Sequence, residues 1–564
     1  MNKDMARLLV RSFLERIQVE DSGCGVFEGK LSASELQALR KLVGDEEEIP
    51  DAVRREAQQD PGEASKETAP PKSVSDDGKN SGKKIRIDTS SLSEDGEEGV
   101  RVCIDFGTAM SKATVVQDGY GGIPEQFEVL NLGIPGHQEE VHSKMLVSSI
   151  LLDREGKLRF GQEAVNISQS PGAEAHGARI DNIKRRISEG GLGDIVSDED
   201  NPTAVEVTYE ELVVAYLTFL TWCINERLVE AGYSRGIDRR YAVPCFDSER
   251  SRKVENSMSR ALGAAQLLAD TFGDQVKKGL DLEMFVELLR EIRKSGFKFD
   301  FVKEKITEPV GVIASQVSWE NDLDHLMMVI DVGAGTTDFG LFKIRYDSTT
   351  DKRAAFEVRN SSRYTSLAGN YLDRILKAHI LKRSGVDESH PRYRNILGRL
   401  DKGIRESKET LFNEDGVFMV LSEEYDLDVQ VTLEEFLSLD AVKEFGDDLR
   451  EMMLEVFQAQ GEWADWVCSD PRRRLTVVLT GGGAGLPMVR ELAEKDLQVD
   501  GRTVPVAPAA RFPAWLKEAH PTYEDDYPRI AVSLGGARRE IFDNEGQISA
   551  APPVGPGTYE LERY

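Results

Sequence analysis

Three short apolar runs each lead directly into a glycine-rich turn, and they lie at residues 102–104, 326–330 and 475–480. Short continuous apolar runs bounded by turn residues are typical of buried strands. Between these runs, apolar residues recur at helical spacing in four stretches, 208–230, 250–262, 280–293 and 432–467. The sequence thus contains both predicted buried strands and predicted long helices.

The turn after the second apolar run carries two carboxylates and two glycines. Asp331 ends the strand, Gly333 and Gly335 follow, and Thr336 and Asp338 lead into the next strand. Glycine leaves backbone N–H groups free to cradle a phosphate that a side chain would block. Because carboxylates do not bind phosphate directly, we expect the two aspartates to hold a hydrated Mg²⁺ or to polarise a water.

The same pattern occurs after the first apolar run. Asp105 ends that strand, Gly107 and Thr108 follow, and a strand resumes through Val116. One glycine-rich turn is a weak signal that an ordinary hairpin also explains. Two distant copies suggest a duplicated domain with one nucleotide between its halves. The glycines at 481–483 form a third turn, where a base or phosphate could approach the backbone closely.

In their order along the chain, these motifs resemble the actin-like ATPase superfamily, and within it the seventy-kilodalton heat-shock chaperones. Segment 331–338 is similar to the second phosphate motif of the chaperones, and 480–483 resembles their adenosine motif. Segments 306–309 and 531–537 resemble their two hinges, and 183–187 resembles the segment that brings a lysine to the γ-phosphate. The resemblance implies an α/β fold of duplicated, ribonuclease H-like lobes around a nucleotide cleft.

The resemblance also implies roles for individual residues. Lys184 matches the γ-phosphate lysine of the chaperones, and Lys112 has the spacing of the lysine in actin; either ammonium could offset phosphate charge. Glu308 is expected to orient the attacking water. A surface lysine and a helix N-terminal acid are the structural alternatives for Lys184 and Glu308. Gly369 lies in a turn that resembles a chaperone helix start, and Lys408 matches a ribose-contacting lysine.

Three sets of residues collect these expectations. The implied catalytic residues are Lys184, Glu308, Asp331 and Thr336. The implied nucleotide contacts are Asp105, Gly107, Thr108, Lys112, Gly333, Gly335, Thr336, Gly369, Lys408, Gly481, Gly482 and Gly483. The implied Mg²⁺ site is Asp105, Asp331 and Asp338, so the expected cofactors are ATP or ADP with Mg²⁺.

Several positions depart from the chaperone pattern. Ala109 replaces a threonine, which is expected to slow hydrolysis without abolishing binding. Arg405 and Glu409 reverse the charge pair that flanks Lys408, and Gly485 replaces an arginine that stacks on adenine. Loss of such stacking weakens binding by on the order of 1 kcal/mol. The sequence therefore predicts phosphate binding more firmly than adenine specificity.

The chain is expected to contain four parts. Residues 1–44 are predicted as a small helical module, because Leu9, Phe13 and Ile17 recur at helical spacing and Ser32 with Glu35 resembles a capping box. Residues 45–99 are charged and poor in apolar residues, which predicts a disordered acidic linker. The nucleotide-binding domain is predicted at 100–545, and 546–564 as a tail without the peptide clamp of the chaperones.

Composition limits the class of protein. A net charge of −29 argues against a nucleic-acid partner. The five cysteines have no metal-binding or redox spacing, and we find no signal peptide or transmembrane run. These features predict a cytoplasmic protein. The module at 1–44 and an inserted amphipathic helix within 264–304 are the candidate surfaces for a protein partner, with packing on the body as the alternative for both.

Three functions are compatible with the sequence. The first is a chaperone-like ATPase that hydrolyses ATP slowly and uses lobe movement to regulate or remodel a partner protein. The second is a nucleotide-sensing scaffold that does not hydrolyse, favoured by Ala109 and the altered adenosine site. The third is a polymerising actin-like protein, favoured by Lys112 but weakened by the chaperone-type segments around Lys184 and Glu308.

Overall fold

The structure is a computed structural model, and the fold is described for residues 17–19, 25–27, 85–94, 96–119, 124–134, 143–170, 177–244, 248–422, 425, 427–549 and 551. The chain divides into two compact units, Met1–Lys83 and Lys84–Tyr564.

The first unit contains a pair of short antiparallel strands, β1 at Ile17–Val19 and β2 at Gly25–Phe27. Ile17 pairs with Phe27, so a residue assigned to the predicted helical stripe lies in a strand instead. Helical spacing at one residue does not prevent a strand when a nearby segment offers backbone partners. The remainder of the helical module predicted at 1–44 lies outside the described residues.

The second unit is a mixed α/β structure. Its strands are β3 Val100–Asp105, β4 Met110–Gln117, β5 Gln126–Val129, β6 Leu146–Val147, β7 Ser149–Asp153, β8 Lys157–Phe160, β9 Gly177–Asp181, β10 Asp238–Val243, β11 Leu280–Asp281, β12 Val302–Thr307, β13 Leu323–Val332, β14 Thr337–Asp347, β15 Lys352–Val358, β16 Arg363–Thr365, β17 Gly416–Ser422, β18 Leu427–Thr432, β19 Leu475–Thr480, β20 Leu497–Val499, β21 Arg502–Val504, β22 Val506–Pro508 and β23 Asp543–Ile548.

Its helices are α1 Gly161–Gln169, α2 Arg185–Glu189, α3 Tyr209–Glu230, α4 Ser248–Phe272, α5 Leu282–Ser295, α6 Glu308–Gln316, α7 Gly369–Ser384, α8 Tyr393–Asn413, α9 Leu433–Ser438, α10 Asp440–Gln458, α11 Gly461–Cys468, α12 Pro487–Glu494, α13 Ala514–Ala519 and α14 Tyr527–Ala537. Short 3₁₀ turns occur at Ser90–Leu92, Gly273–Lys278 and Pro521–Tyr523.

One large sheet contains the first glycine turn. Its strand order is β12-β10-β3-β4-β5, and β6 pairs with β4. Strand β3 is parallel to β10 and forms an antiparallel hairpin with β4, in which Asp105 lies opposite Lys112. The turn between Asp105 and Met110 therefore lies beyond the ends of these two strands, at one end of the sheet. A smaller sheet has the order β11-β8-β7-β9.

A second large sheet contains the other two glycine turns. Its strand order is β22-β19-β13-β14-β15-β23, and β16 pairs with β14. Strands β13 and β14 form a hairpin in which Asp331 lies opposite Asp338, and β19 runs parallel to β13 with Thr480 beside Asp331. In both large sheets an antiparallel hairpin has a parallel strand on one side. That the sheets belong to duplicated lobes stays a prediction.

The long helix α3 forms the centre of the first core. Thr208 and Glu211 form the capping box expected from the sequence, and nearly the whole helix is buried. By length and composition alone α3 could cross a membrane, and it is the one such helix among the described residues, but 78% of its apolar window is buried inside the protein. The inserted helix α5 packs on the same core through Phe285 and Leu289, as its spacing predicted.

The stretch 432–467, predicted as one helix, contains three. Thr432 accepts a hydrogen bond from the backbone N–H of Glu435, as expected for the N-cap, but Leu439 adopts an extended backbone that separates α9 from α10. Gln460 is also non-helical and separates α10 from α11. The apolar spacing continues across both breaks, which explains why it suggested one helix.

Both predicted ends of the nucleotide-binding domain need correction. Ile85, Ile87 and Leu92 pack against the first core, so the ordered body begins before residue 100. At the other end, β23 pairs with β15 as far as Ile548, so part of the predicted tail belongs to the second sheet. These apolar residues are too few to show a periodic pattern in the sequence. In the fold they pack against the core or lie in a strand that pairs with β15.

Helices α6 and α14 cross with their backbones in close contact. A Cβ placed on Gly535 would lie 1.9 Å from the carbonyl oxygen of Gly311, so only glycine allows this approach. The side chains of Ser315 and Tyr527 form a hydrogen bond of 2.6 Å near the same crossing. Since Glu308 is the first residue of α6, this crossing fixes the position of a predicted site residue.

Candidate functional site

The first two glycine turns have a tight backbone, and the first of them allows only glycine. A Cβ on Gly107 would lie 1.9 Å from the carbonyl oxygen of Met110. In the second turn, the backbone N–H of Gly333 donates to the carbonyl oxygen of Thr336 at 2.9 Å, and a Cβ on Gly333 would lie 3.1 Å from that oxygen. Both turns therefore expose backbone on a tight loop, the geometry that suits an anionic ligand.

The two turns, which belong to different sheets, lie next to each other. A Cβ placed on Gly335 would lie 3.9 Å from Cγ2 of Thr108 and 3.8 Å from Oδ1 of Asn182. Two of the predicted phosphate-contacting segments thus face each other across a narrow gap. Asn182 was not predicted as a site residue.

Asn182 has a left-handed backbone, with a φ of 57°. Asparagine tolerates that conformation better than most residues with a side chain. Its carbonyl oxygen accepts a hydrogen bond from the backbone N–H of Arg185, which starts the turn that contains Lys184. In the sequence, Asn182 is visible only as an asparagine two positions before the predicted lysine. Its place at the site follows from the conformation of the turn in the structure.

Asp331 and Asp338 form an acidic pair at the ends of β13 and β14, in which Asp331 is half-buried and Asp338 is exposed. Desolvation raises the pKa of Asp331 to about 7, and the nearby Asp338, Glu308 and Asp105 raise it while Lys112 opposes them. Desolvation of its carboxyl group also raises the pKa of Asp338 to about 6, although a 2.9 Å hydrogen bond from the Thr336 hydroxyl opposes that rise. The site therefore has more negative charge than its own cations neutralise.

The two predicted lysines both lie at this acidic cluster. The Nζ atom of Lys184 lies 2.5 Å from Oε1 of Glu308, and Nζ of Lys112 lies 3.3 Å from Oδ2 of Asp105. Burial alone would lower the pKa of Lys184, but Glu308, Asp105 and Asp331 outweigh it and raise that pKa. Lys184 is thus a buried, charged ammonium among carboxylates.

The third glycine turn packs against the second hairpin. Gly481 has a left-handed φ of 83°, and a Cβ there would lie 2.3 Å from Oδ1 of Asp331. The backbone N–H of Gly483 donates to the carbonyl oxygen of Val332 at 2.9 Å. A Cβ on Gly482 or Gly485 would meet no atom within 4 Å, so the outer side of this turn has room for a flat group.

The turn at Gly369 also supports the second hairpin. Its backbone N–H donates to the carbonyl oxygen of Gly333 at 3.0 Å. Lys408 donates to the carbonyl oxygen of Gly369 at 2.9 Å and forms an ion pair of 2.7 Å with Asp373. The predicted ribose-contacting lysine therefore lies at the rim of the site, held by protein groups. Arg405 and Glu409 pair at 3.4 Å on the exposed side of α8.

The structure brings the predicted site residues into one region, with the three glycine turns around the acidic cluster. The hydrogen bonds from Gly369 and from Asn370, which donates to the carbonyl oxygen of Ala334 at 2.8 Å, were not foreseen in this detail. That these residues bind a nucleotide or catalyse its hydrolysis stays a prediction.

Sequence comparison gives one informative similarity. The chain is 26% identical over 180 residues to a chaperone protein, the HscA homolog of Burkholderia thailandensis. The match covers 31% of this chain and 26% of that protein, so it spans about a quarter of the relative's length. It supports a distant relationship to the seventy-kilodalton heat-shock chaperones. No family model matches the chain.

The carboxylates fit a metal only through intervening water. Across the part of the chain that the structure describes, no group of three or more His, Cys, Asp or Glu side chains is arranged to hold a metal ion directly. The raised pKa values of Asp331 and Asp338 nevertheless indicate negative charge that a divalent cation would neutralise. These residues fit a hydrated Mg²⁺, which commonly keeps several waters and binds through few carboxylates.

Proposed function

We propose that this protein binds ATP with Mg²⁺ between the first two glycine turns, hydrolyses it slowly, and uses nucleotide-driven movement to regulate or remodel a partner protein. The observation that carries the proposal is the convergence of both turns on one acidic cluster with two lysines. The distant similarity to a chaperone supports the same class of function.

The backbone and the lysines supply complementary parts of a phosphate site. Gly107, Gly333 and Gly335 keep the two turns free of side chains where the sheets meet. Lys184 and Lys112 provide positive charge beside them. In a dry site, preorganised ammonium and N–H groups stabilise the charge on transferring phosphoryl oxygens more than water does.

The aspartates would hold Mg²⁺ through its waters. When bound, the cation would neutralise part of the charge on the phosphate oxygens. Asp105, Asp331 and Asp338 would accept hydrogen bonds from its coordinated waters, and Thr336 would keep the Asp338 carboxylate oriented. Binding would require both Asp331 and Asp338 to lose their protons.

Glu308 would act on the attacking water while it holds Lys184. One of its oxygens accepts from Lys184, which leaves the other to orient a water between the turns. Because Glu308 begins α6, any shift that phosphate imposes on it would reach the α6–α14 crossing at Gly311 and Gly535. That crossing is the element through which hydrolysis would be converted into movement.

A second candidate is a nucleotide sensor that does not hydrolyse ATP. Ala109 places no hydroxyl in the first turn where the chaperones have threonine. Gly485 stands where the chaperones have an arginine that stacks on adenine, and a Cβ there would meet no atom within 4 Å. A polymerising actin-like protein is the third candidate. Lys112, which has the spacing of the lysine in actin, lies at the site and forms an ion pair with Asp105.

The test is phosphate release from ATP, measured beside nucleotide binding for the wild type, Asp331→Ala and Glu308→Ala. Glu494→Gln, a charge change at an exposed position, is the matched control. Turnover that is lost in both site variants and kept in the control would support the ATPase. Tight binding with no turnover in any protein would favour the sensor, and ATP-dependent sedimentation would favour the polymer. No nucleotide binding at all would overturn the proposal.

A further inference from the structure

A second polar pocket lies at the opposite end of the strands that carry the acidic cluster. It has a volume of about 310 Å³ and lies where β13 and β19 begin. Asp324 lines it, and Asp331 lies seven residues further along β13. At about 3.3 Å per residue, the two ends are roughly 23 Å apart. The pocket is therefore separate from the proposed nucleotide site.

Three consecutive arginines form one side of this pocket. Arg472 pairs with Asp470 at 2.7 Å. Arg473 donates to the carbonyl oxygen of Trp466 and to the Ser469 hydroxyl, both at 3.0 Å. Arg474 is exposed, and no carboxylate among the described residues lies within ion-pair distance of it. Such a basic run is unusual in a chain whose net charge is −29.

A buried lysine stands behind the pocket wall. Lys343 is 1% exposed, lies 2.6 Å from Asp324, and has its Nζ atom 3.7 Å from the centre of the Trp466 ring. The Arg473 guanidinium lies 4.0 Å from the centre of the same ring. Arg345 also pairs with Asp324, at 3.3 Å. Trp466 and Asp324 thus hold basic side chains in fixed positions beside the pocket. These side chains are Lys343, Arg345 and Arg473.

The charges at the pocket do not balance. The three arginines at 472–474 line the pocket and Lys343 lies behind its wall, and these four cations face two carboxylates, Asp324 and Asp470, which leaves an excess of two positive charges. Burial lowers the pKa of Lys343 to about 8, and Arg345 and Arg473 lower it further while Asp324 opposes them. Burial and Lys343 also lower the pKa of His325, another lining residue.

We propose that this pocket binds a phosphate group. The arginine side chains offer planar pairs of N–H donors that match phosphate oxygens, and a dianion would neutralise the excess charge. A single carboxylate would leave half of it in place. The phosphate could be free inorganic phosphate or a phosphorylated side chain of another protein, since both present the same oxygens.

Calorimetric titration of the full chain with inorganic phosphate tests the proposal. The double variant Arg472→Gln, Arg474→Gln removes two exposed arginines with little risk to folding. It should bind phosphate about tenfold more weakly or worse, the effect of losing charge-assisted hydrogen bonds of this kind. Arg235→Gln, which removes an exposed arginine paired with Glu226, is the matched control and should bind as the wild type does.

The proposed nucleotide site could also take up phosphate, so Lys184→Met serves as a second comparison. Phosphate binding that survives in Lys184→Met and is lost in the double variant supports the pocket. Binding that is lost only in Lys184→Met, or equal in all proteins, overturns it. A phosphoserine peptide and its unphosphorylated form, titrated in parallel, distinguish the sources: tighter binding of the phosphopeptide than of inorganic phosphate indicates a protein ligand. Failure of both probes to bind overturns the proposal, whatever the outcome at the nucleotide site.

Discussion

At the scale of single residues, the candidate site is a balance between acids and lysines that the folded chain leaves incomplete. Asp331 and Asp338 are forced together by the register of β13 and β14, and Lys184 is already committed to Glu308. Desolvation raises the pKa of both aspartates and repulsion from neighbouring carboxylates adds to it, because the neutral form avoids both costs. A ligand that binds together with a cation would reduce the repulsion between these carboxylates.

Asp331→Asn should raise the stability of the protein in the absence of ligand. The melting temperature of the variant should also no longer respond to added ligand. A carboxyl whose pKa is about 7 when folded and about 3.8 when unfolded stabilises the fold only while protonated. That contribution is complete below the unfolded pKa and is lost as pH rises through the folded pKa. Differential scanning calorimetry should therefore show the variant melting about 1–3 °C higher at pH 7.5 and unchanged near pH 4.

Addition of Mg²⁺ with ADP supplies the contrast for that variant. It should raise the melting temperature of the wild type, more at pH 8 than at pH 5.5, because deprotonated aspartates hold the hydrated cation better. EDTA should reverse the increase. The variant should show little change in either case. A wild-type response that is independent of pH would contradict the assigned role of the acidic pair.

Gly107→Ala should weaken nucleotide binding while the fold is kept. The new Cβ would meet the carbonyl oxygen of Met110, so the turn must open and its N–H groups must turn away. We expect affinity to fall by about tenfold or more, roughly 1.4 kcal/mol. Fluorescent ADP titration measures it. Gly398→Ala is the control, since a Cβ there meets nothing within 4 Å, and equal affinities in the two variants would contradict the phosphate role of the first turn.

At the scale of elements, hairpins ending in aspartate were predictable because strand and turn signals are local. The apolar runs defined β3, β13 and β19, and aspartates marked where β3 and β13 end. The meeting of Gly335 with Asn182 was not predictable, because it depends on how two sheets pack. The strand at Ile17–Val19 was also missed, because pairing with the nearby segment Gly25–Phe27 overrides helical spacing.

Helices α6 and α14 are the elements on which movement between the sheets would depend, so Gly535→Ala tests them. Its Cβ would lie 1.9 Å from the carbonyl oxygen of Gly311, and the helices must separate. We expect a loss of about 1–3 kcal/mol in the free energy of unfolding, the usual cost of overpacking. Gly403→Ala in α8 meets no atom within 4 Å and should be neutral or stabilising. Equal urea midpoints for both variants would contradict the tight crossing.

At the scale of the whole molecule, the two large sheets pack on a shared apolar core around α6 and α14, which includes Val116 of the first sheet and Val329 of the second. The first and second glycine turns face each other, and α6 and α14 cross between the same sheets. The ion pair between Lys184 and Glu308 joins the turn before α2 to the start of α6. A nucleotide that binds between the turns would therefore act on the relative position of the sheets rather than on a single loop.

Spin labels on either side of the molecule should report that movement. Cys468 is exposed beside the second sheet, and Glu155→Cys places a label in the exposed turn between β7 and β8, with Cys24 and Cys245 changed to serine. Pulsed electron resonance should give one distance with ADP and Mg²⁺ and another with ATP and Mg²⁺ in a Glu308→Gln background, where slow hydrolysis preserves the ATP state. Lys184→Met should reduce the difference, because it removes the proposed γ-phosphate contact from the segment between β9 and α2. Identical distances in all states would mean that the nucleotide binds without moving the sheets, and the function would then be that of a sensor read by a partner at the site itself.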